Sequence, residues 1–124
     1  MSHSVSTIGQ IAVTVSDVGA ALSFYRDILG LRFLFQPADN LAFVQAGEVR
    51  IMLSTPQGAG AAGENSILYF MVEDIEGSHA DMIARGAKNE RPPALAVKMP
   101  DHELWTGFLR DPDDNLVGLM EEKR

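Results

Sequence analysis

Residues 10–22 read QIAVTVSDVGAAL, and residues 67–79 read ILYFMVEDIEGSH. At an offset of 57 positions, Val15 falls on Val72, Asp17 on Asp74 and Val18 on Ile75. Each stretch is an apolar alternating run, then Val-x-Asp, then a β-branched residue opening a helical pattern. Gly30 and Gly86 close the two copies. Self-similarity of this kind fixes the architecture first, because each repeat is one supersecondary unit that must pack against its neighbour.

In the first copy Ile11, Val13 and Val15 share one strand face, and Gln10, Ala12 and Thr14 the other. Asp17 is suited to cap a helix, offering its carboxylate to the free amides of the first turn. Val18, Ala21, Leu22, Tyr25, Ile28 and Leu29 follow at helical spacing, and Gly30 ends the helix with a left-handed residue. Three short strands are expected around 32–35, 41–45 and 48–53, giving the order βαβββ. The second copy places Leu68, Phe70 and Val72 opposite Ile67, Tyr69 and Met71. Asp74 caps its helix, Ile75, His79, Met82 and Ile83 form the stripe, and Gly86 stops it. Its later strands are expected near 95–98, 104–110 and 115–121, with DPDDN (111–115) as the turn between the last two.

The halves differ in one place. From Gly30 to Phe43 is 13 positions and from Gly86 to Phe108 is 22, and the extra stretch includes RPPALAVKMPDHE, with three prolines. It is expected to form a loop or rim. STPQGAGAAGENS (54–66) is small and Gly-rich and reads as a linker. The expected layout is a single domain over 1–124: module one at 8–53, the linker, and module two at 67–122. Neither module alone covers the strand face away from its helix. The fold class is therefore α+β: two βαβββ modules packed as a pseudo-symmetric curved mixed sheet, helices outside, with a central cleft between the inner faces.

A chain of 124 residues is one domain's worth, and 46% apolar with 22% charged residues is globular rather than disordered composition. A net charge of −7, from 17 acids against 10 bases, argues against nucleic acid or an anionic membrane as partner. It mildly favours cationic or neutral ligands, beside the plainer role of charge in solubility. The absence of Cys excludes disulfides and thiolate sites. MSHSVSTIG has no basic, apolar leader pattern and no run approaches a membrane span, so a cytoplasmic address is expected.

IGQIAVTVSDVGAALSFYRDILGLRF (8–33) resembles the opening module of the glyoxalase, bleomycin-resistance and extradiol-dioxygenase superfamily, also called vicinal oxygen chelate. FLRDPDDNLVGLME (108–121) resembles its closing hairpin, with Asp114 where the family usually has Gly. The resemblance implies paired βαβββ modules. It also implies, for the enzymes of the family, a divalent metal held by four inward side chains from the first and last strands of each module. Those positions fall at Gln10, Met52, Ile67 and Gly118, and the repeat independently aligns Gln10 with Ile67 and Met52 with Gly118. Family enzymes carry His, Gln or Glu there. Ile67 and Gly118 offer no donor, the Met52 thioether is too soft for Mg, Mn, Fe, Ni or Zn, and one Gln amide holds nothing alone.

Other residues do not obviously rebuild such a site. His3 lies in the tail, His79 takes the place of Leu22 on the helix stripe as a structural histidine, and His102 stands in the inserted stretch between Asp101 and Glu103, either solvated or lining the cleft. GAGAAG lacks the Lys and Ser/Thr of a phosphate loop, and no serine sits in a nucleophile elbow. The cleft candidates are Gln10, Arg50, Met52, Ile67, Tyr69, His102, Trp105 and Gly118, joined by Ala12 and Leu116 on the same faces. Trp105 could stack on a ligand; core packing is the plainer reading for it and for Tyr69. Arg50, if inward without a carboxylate, calls for an anion; reaching solvent is its plainer reading.

The resulting expectation is a small-molecule-binding protein with no metal, no cofactor and no catalytic residue, of the kind in this family that sequesters drugs as homodimers. The alternative is a glyoxalase-type lyase or isomerase with a non-standard or absent metal site. A third reading is an interaction module whose cleft is filled by its own side chains.

Overall fold

Asp17 and Asp74 begin both modules' helices in the same way. Each has extended backbone, and its carboxylate accepts from the amide three residues on, Ala20 and Gly77 respectively. The computed structural model describes residues 3–56 and 61–124; part of the expected linker, 57–60, lies outside them. Module one contains strand β1 (Gln10–Thr14), helix α1 (Val18–Leu22) continued by a wider turn (Ser23–Ile28), and strands β2 (Arg32–Ala38), β3 (Leu41–Ala46) and β4 (Val49–Ser54). Module two contains β5 (Leu68–Met71), α2 (Ile75–Ala84), β6 (Lys88–Lys98), β7 (Glu103–Arg110) and β8 (Leu116–Lys123). Gly30 and Gly86 have φ of 83° and 113°, the left-handed stop that a Cβ would strain.

Each module is one four-stranded mixed sheet, in order β1-β4-β3-β2 and β5-β8-β7-β6. The first strand of each pairs in parallel with the last, and the remaining pairs are antiparallel. The core lies between sheet and helix. Val13, Val15, Leu22, Phe24, Val44, Ile51 and Leu53 are buried in module one, and Ile75, Leu109, Val117 and Leu119 in module two. His79 is buried with them, its Nε2 2.9 Å from the Asn89 Oδ1.

The inserted stretch corrects its sequence reading. It is not a loop: residues 88–98 form the long edge strand β6, and only 99–102 turn the chain. Pro92 and Pro93 are tolerated because an edge strand has an unpaired side, and the register slips between Asn89 and Arg91 and between Arg91 and Ala94.

The modules are locked by a polar hub at the turn Asp111–Asn115. The Asp111 carboxylate, 1% exposed, accepts four hydrogen bonds. Tyr25 OH (2.7 Å) and Asn115 Nδ2 (2.8 Å) donate to Oδ2, and the backbone amides of Asp113 (2.9 Å) and Asn115 (2.8 Å) donate to Oδ1. Ser16 donates to Asp113 through both its amide and its hydroxyl. Asn65 bridges the Thr14 backbone, in both directions, to Asn115. Burial, then the Asp111 carboxylate, pushes the Tyr25 phenol well above its ordinary range near 10. The sign follows: a raised folded-state value stabilises fully below pH 10 and is lost above it, where the unfolded phenol ionises and the folded one does not. Stability is expected to fall above pH 10 by up to roughly 1.4 kcal/mol per pH unit from this group. Denaturant unfolding on either side of pH 10 should show this component missing in Tyr25→Phe; an unchanged slope would assign it to other groups.

Candidate functional site

The period of two along each strand sorts side chains onto a helix face and an inner face. In module one the inner face carries the row Gln10–Arg50–Gln45–Arg32 and, next to it, the row Ala12–Met52–Phe43–Phe35. In module two the corresponding rows are Leu116–Arg110–Lys88, with Ile67 just before β5, and Tyr69–Gly118–Phe108–Arg91. Both faces are open in the single chain. Tyr69 is 50% exposed, Met71 60% and Phe35 48%, and Gln10 and Arg50 are exposed as well.

The candidates therefore fall into two groups, with His102 and Trp105 in neither. Gln10, Arg50 and Met52 touch one another: Arg50 Nε donates to Gln10 Oε1 at 2.8 Å, and Gln10 Nε2 approaches the Met52 sulfur at 3.7 Å. Tyr69 and Gly118 form the second group, the Tyr69 ring lying edge-on to Phe108 at 5.6 Å. His102 is elsewhere, in a recess with Lys98, Glu103, Lys123 and Arg124, its Nδ1 2.8 Å from Asp101. The His102 ring and the Arg124 guanidinium hold the Asp101 carboxyl below its usual range. Trp105 does not share the inner face. It pairs with Glu121 one position out of phase, packs against the core cluster, donates to Glu103 and carries the Lys123 ammonium over its ring at 4.2 Å. A one-residue step along a strand exchanges the faces, and it decides against Trp105 as a stacking residue there.

Between the modules lies a cavity of about 430 Å³, lined chiefly by apolar groups including Leu29, Leu31, Ala46, Met71, Met82 and Leu119. Tyr69 alone of the candidates borders it.

The donor set does not fit the divalent metal implied by the family's enzymes. The one hard donor among the four positions, Gln10 Oε1, already accepts from a guanidinium, so a cation there would face a positive charge. At Gly118 a Cβ would stand 2.7 Å from Tyr69 Cδ2 and 3.0 Å from its Cγ and Cε2, so the ring occupies the space a ligating side chain would need. Among the described residues no cluster of three or more His, Asp or Glu side chains could hold a metal, and no helix is long and apolar enough to cross a membrane.

A family model described as "Glyoxalase/Bleomycin resistance protein/Dioxygenase superfamily" matches residues 7–119, and the chain belongs to that superfamily. Among curated relatives, the uncharacterized protein YraH of Bacillus subtilis (strain 168) is 30% identical, over 90% of this chain and 95% of that protein. Two solved structures share the fold. TnmS3, an antibiotic binding protein from Streptomyces sp. CB03234, is 22% identical with a TM-score of 0.78, covering 98% of this chain and 100% of that one. A lactoylglutathione lyase from Agrobacterium tumefaciens is also 22% identical, with a TM-score of 0.75 and 95% of each chain covered.

The sequence reading did not single out the aromatic pairs. Phe35–Phe43 (4.8 Å) and Tyr69–Phe108 give each inner face a stacking surface. The signal for them was the alternation within 33–43, where Phe35 and Phe43 share a phase only because β2 slips register between Phe33 and Phe35.

Proposed function

We propose that this chain binds an organic small molecule between the inner face of a module one and that of a module two, with no metal taking part. The observation that carries this reading is the donor set: Gln10 Oε1 engaged by Arg50, and the Gly118 position filled by Tyr69. What remains on both faces is aromatic and thioether surface beside rows of glutamine, arginine and lysine, the chemistry of a site for a flat organic compound with a polar substituent. TnmS3, named as an antibiotic binding protein, shares the fold at 22% identity, which carries the fold alone.

The covering face comes from a second copy, so the working form is a homodimer. The exposure of Tyr69, Met71 and Phe35 on these faces is apolar surface that a second copy would cover. The lyase or isomerase reading rests on likeness to the Agrobacterium tumefaciens protein, which at 22% identity carries the fold alone.

Thermal-shift screening of the chelator-treated protein is the test. Planar organic compounds are expected to raise the melting temperature, by several degrees for a ligand at a hundred times its Kd, and Mg, Mn, Ni or Zn salts to leave it unchanged. Saturable stabilisation by a divalent cation, with no response to any organic compound, would overturn the reading.

A further inference from the structure

Positive charge is placed unlike the rest of the chain. The protein has 17 acids and 10 bases, yet the inner-face rows holding the candidates contain none of the acids. Arg110 and Lys88 at their margin are neutralised by Glu90 and Asp114. Arg32, Arg50 and Arg91 have no acid partner among the described residues, and of these Arg50 and Arg91 each lie over a phenylalanine. Arg50 is 5.3 Å from the centroid of Phe43, and Arg91 is 5.3 Å from that of Phe108. Phe43 faces Met52 and Phe108 faces Gly118, so the two rings occupy equivalent places in the repeat, while Arg50 reaches its ring from β4 and Arg91 from β6.

Arg50 is also aimed. Gln10 takes its Nε, which leaves the two terminal amino groups of the fork without an acceptor among the described residues. In the open chain water solvates both guanidinium groups. When a module-one face and a module-two face close over a ligand, that water is lost, and the carboxylates bordering the module-two face are already engaged, Glu90 by Arg110, Asp114 by Lys88 and Glu122 by Arg124. A neutral or cationic compound would leave two buried positive charges uncompensated. An oxyanion would accept from them, bidentately at the flat fork, while its ring stacked on the aromatic surface.

From this placement we infer that the ligand is an anionic planar aromatic compound, a fused ring bearing a carboxylate or similar oxyanion, selected over its neutral and cationic analogues by Arg50 and Arg91. The inference rests on the binding reading above and adds the ligand's charge. It runs against the net charge of −7, since the field a ligand meets is set by the groups lining the cleft and not by the total.

Calorimetric titration of the full chain with naphthalene-2-carboxylate, its amide and 2-naphthylmethylammonium tests it. The carboxylate is expected to bind at least about tenfold tighter than the amide, with the ammonium weakest and the preference shrinking as salt rises. Arg50→Met and Arg91→Met should each remove most of that preference, the carboxylate losing far more affinity than the amide. Arg50→Lys, which keeps charge and loses the fork, should fall between. Arg124→Gln, outside the cleft, should change nothing. Equal affinity for carboxylate and amide, or a preference that survives both methionine variants, overturns the inference and leaves the binding reading standing. Failure of all three probes to bind overturns the inference, and the thermal-shift panel then decides the binding reading.

Discussion

Asp111→Ala is expected to destabilise the protein by about 3–5 kcal/mol and to lower its melting temperature by roughly 10–20 °C. The carboxylate is buried and is the common acceptor for four donors: the Tyr25 hydroxyl, the Asn115 amide nitrogen and two backbone N–H groups. Alanine leaves all four without a partner, at about 1–3 kcal/mol for each that stays dry. Some will rehydrate, which keeps the total below the simple sum. Asp111→Asn is the informative companion. Its oxygen can still take the two backbone amides, but its NH₂ then faces the Asn115 NH₂, so an intermediate loss is expected. Tyr25→Phe removes one donor and should cost about 1–2 kcal/mol. The double variant Asp111→Ala/Tyr25→Phe should cost less than the sum of the singles, because the orphaned hydroxyl is gone. Urea unfolding of the four variants measures this. A loss below 1 kcal/mol for Asp111→Ala would show that the hub is not what fixes one module against the other.

That hub also marks the boundary of what the sequence discloses. The repeat was readable because it is local: Asp17 and Asp74 announce helix starts by their chemistry, and Gly30 and Gly86 announce the ends. Strand alternation likewise sorts Gln10, Arg50 and Met52 onto one face and Tyr69 and Gly118 onto another, since a period of two needs only short-range information. The Tyr25–Asp111 bond spans 86 positions, and neither residue's neighbourhood points to the other. The insertion misled for a related reason. Its prolines read locally as strand breakers, while their tolerance depends on β6 being an edge, which is a property of the whole sheet. Trp105, open to stacking or core packing in the sequence, packs on the core side because β7 pairs with β8 without a slip and so holds it out of phase with Phe108 and Gly118. The charge on the faces was hidden by the total: an acidic sequence does not say that its acids avoid the rows holding Gln10, Met52, Tyr69 and Gly118.

Met71→Asp is expected to weaken self-association by at least about 100-fold while leaving the fold intact. Met71 is the most exposed large apolar side chain within the strands, and it lies in the row Met71–Met120–Thr106–Ala94, beside that of Tyr69 and Phe108. A carboxylate there costs the single chain little, because the position is already wet. Burying it against a second copy without a partner costs several kcal/mol. Sedimentation should show a concentration-dependent dimer for the wild type and a ~13.5 kDa species for the variant, with similar far-ultraviolet dichroism. A wild type that stays monomeric across concentrations refutes the homodimer. Complementation then asks whose faces meet. If module one of one copy closes on module two of the other, mixing Arg50→Met with Arg91→Met chains yields heterodimers with one cleft carrying both arginines and one carrying neither. Random exchange makes about half the dimers mixed and so restores wild-type affinity for naphthalene-2-carboxylate at about a quarter of all clefts. If the cleft closes within one chain, every cleft keeps a single arginine and mixing restores none. The open faces of the isolated chain, with Tyr69 50% and Phe35 48% exposed, favour the first outcome.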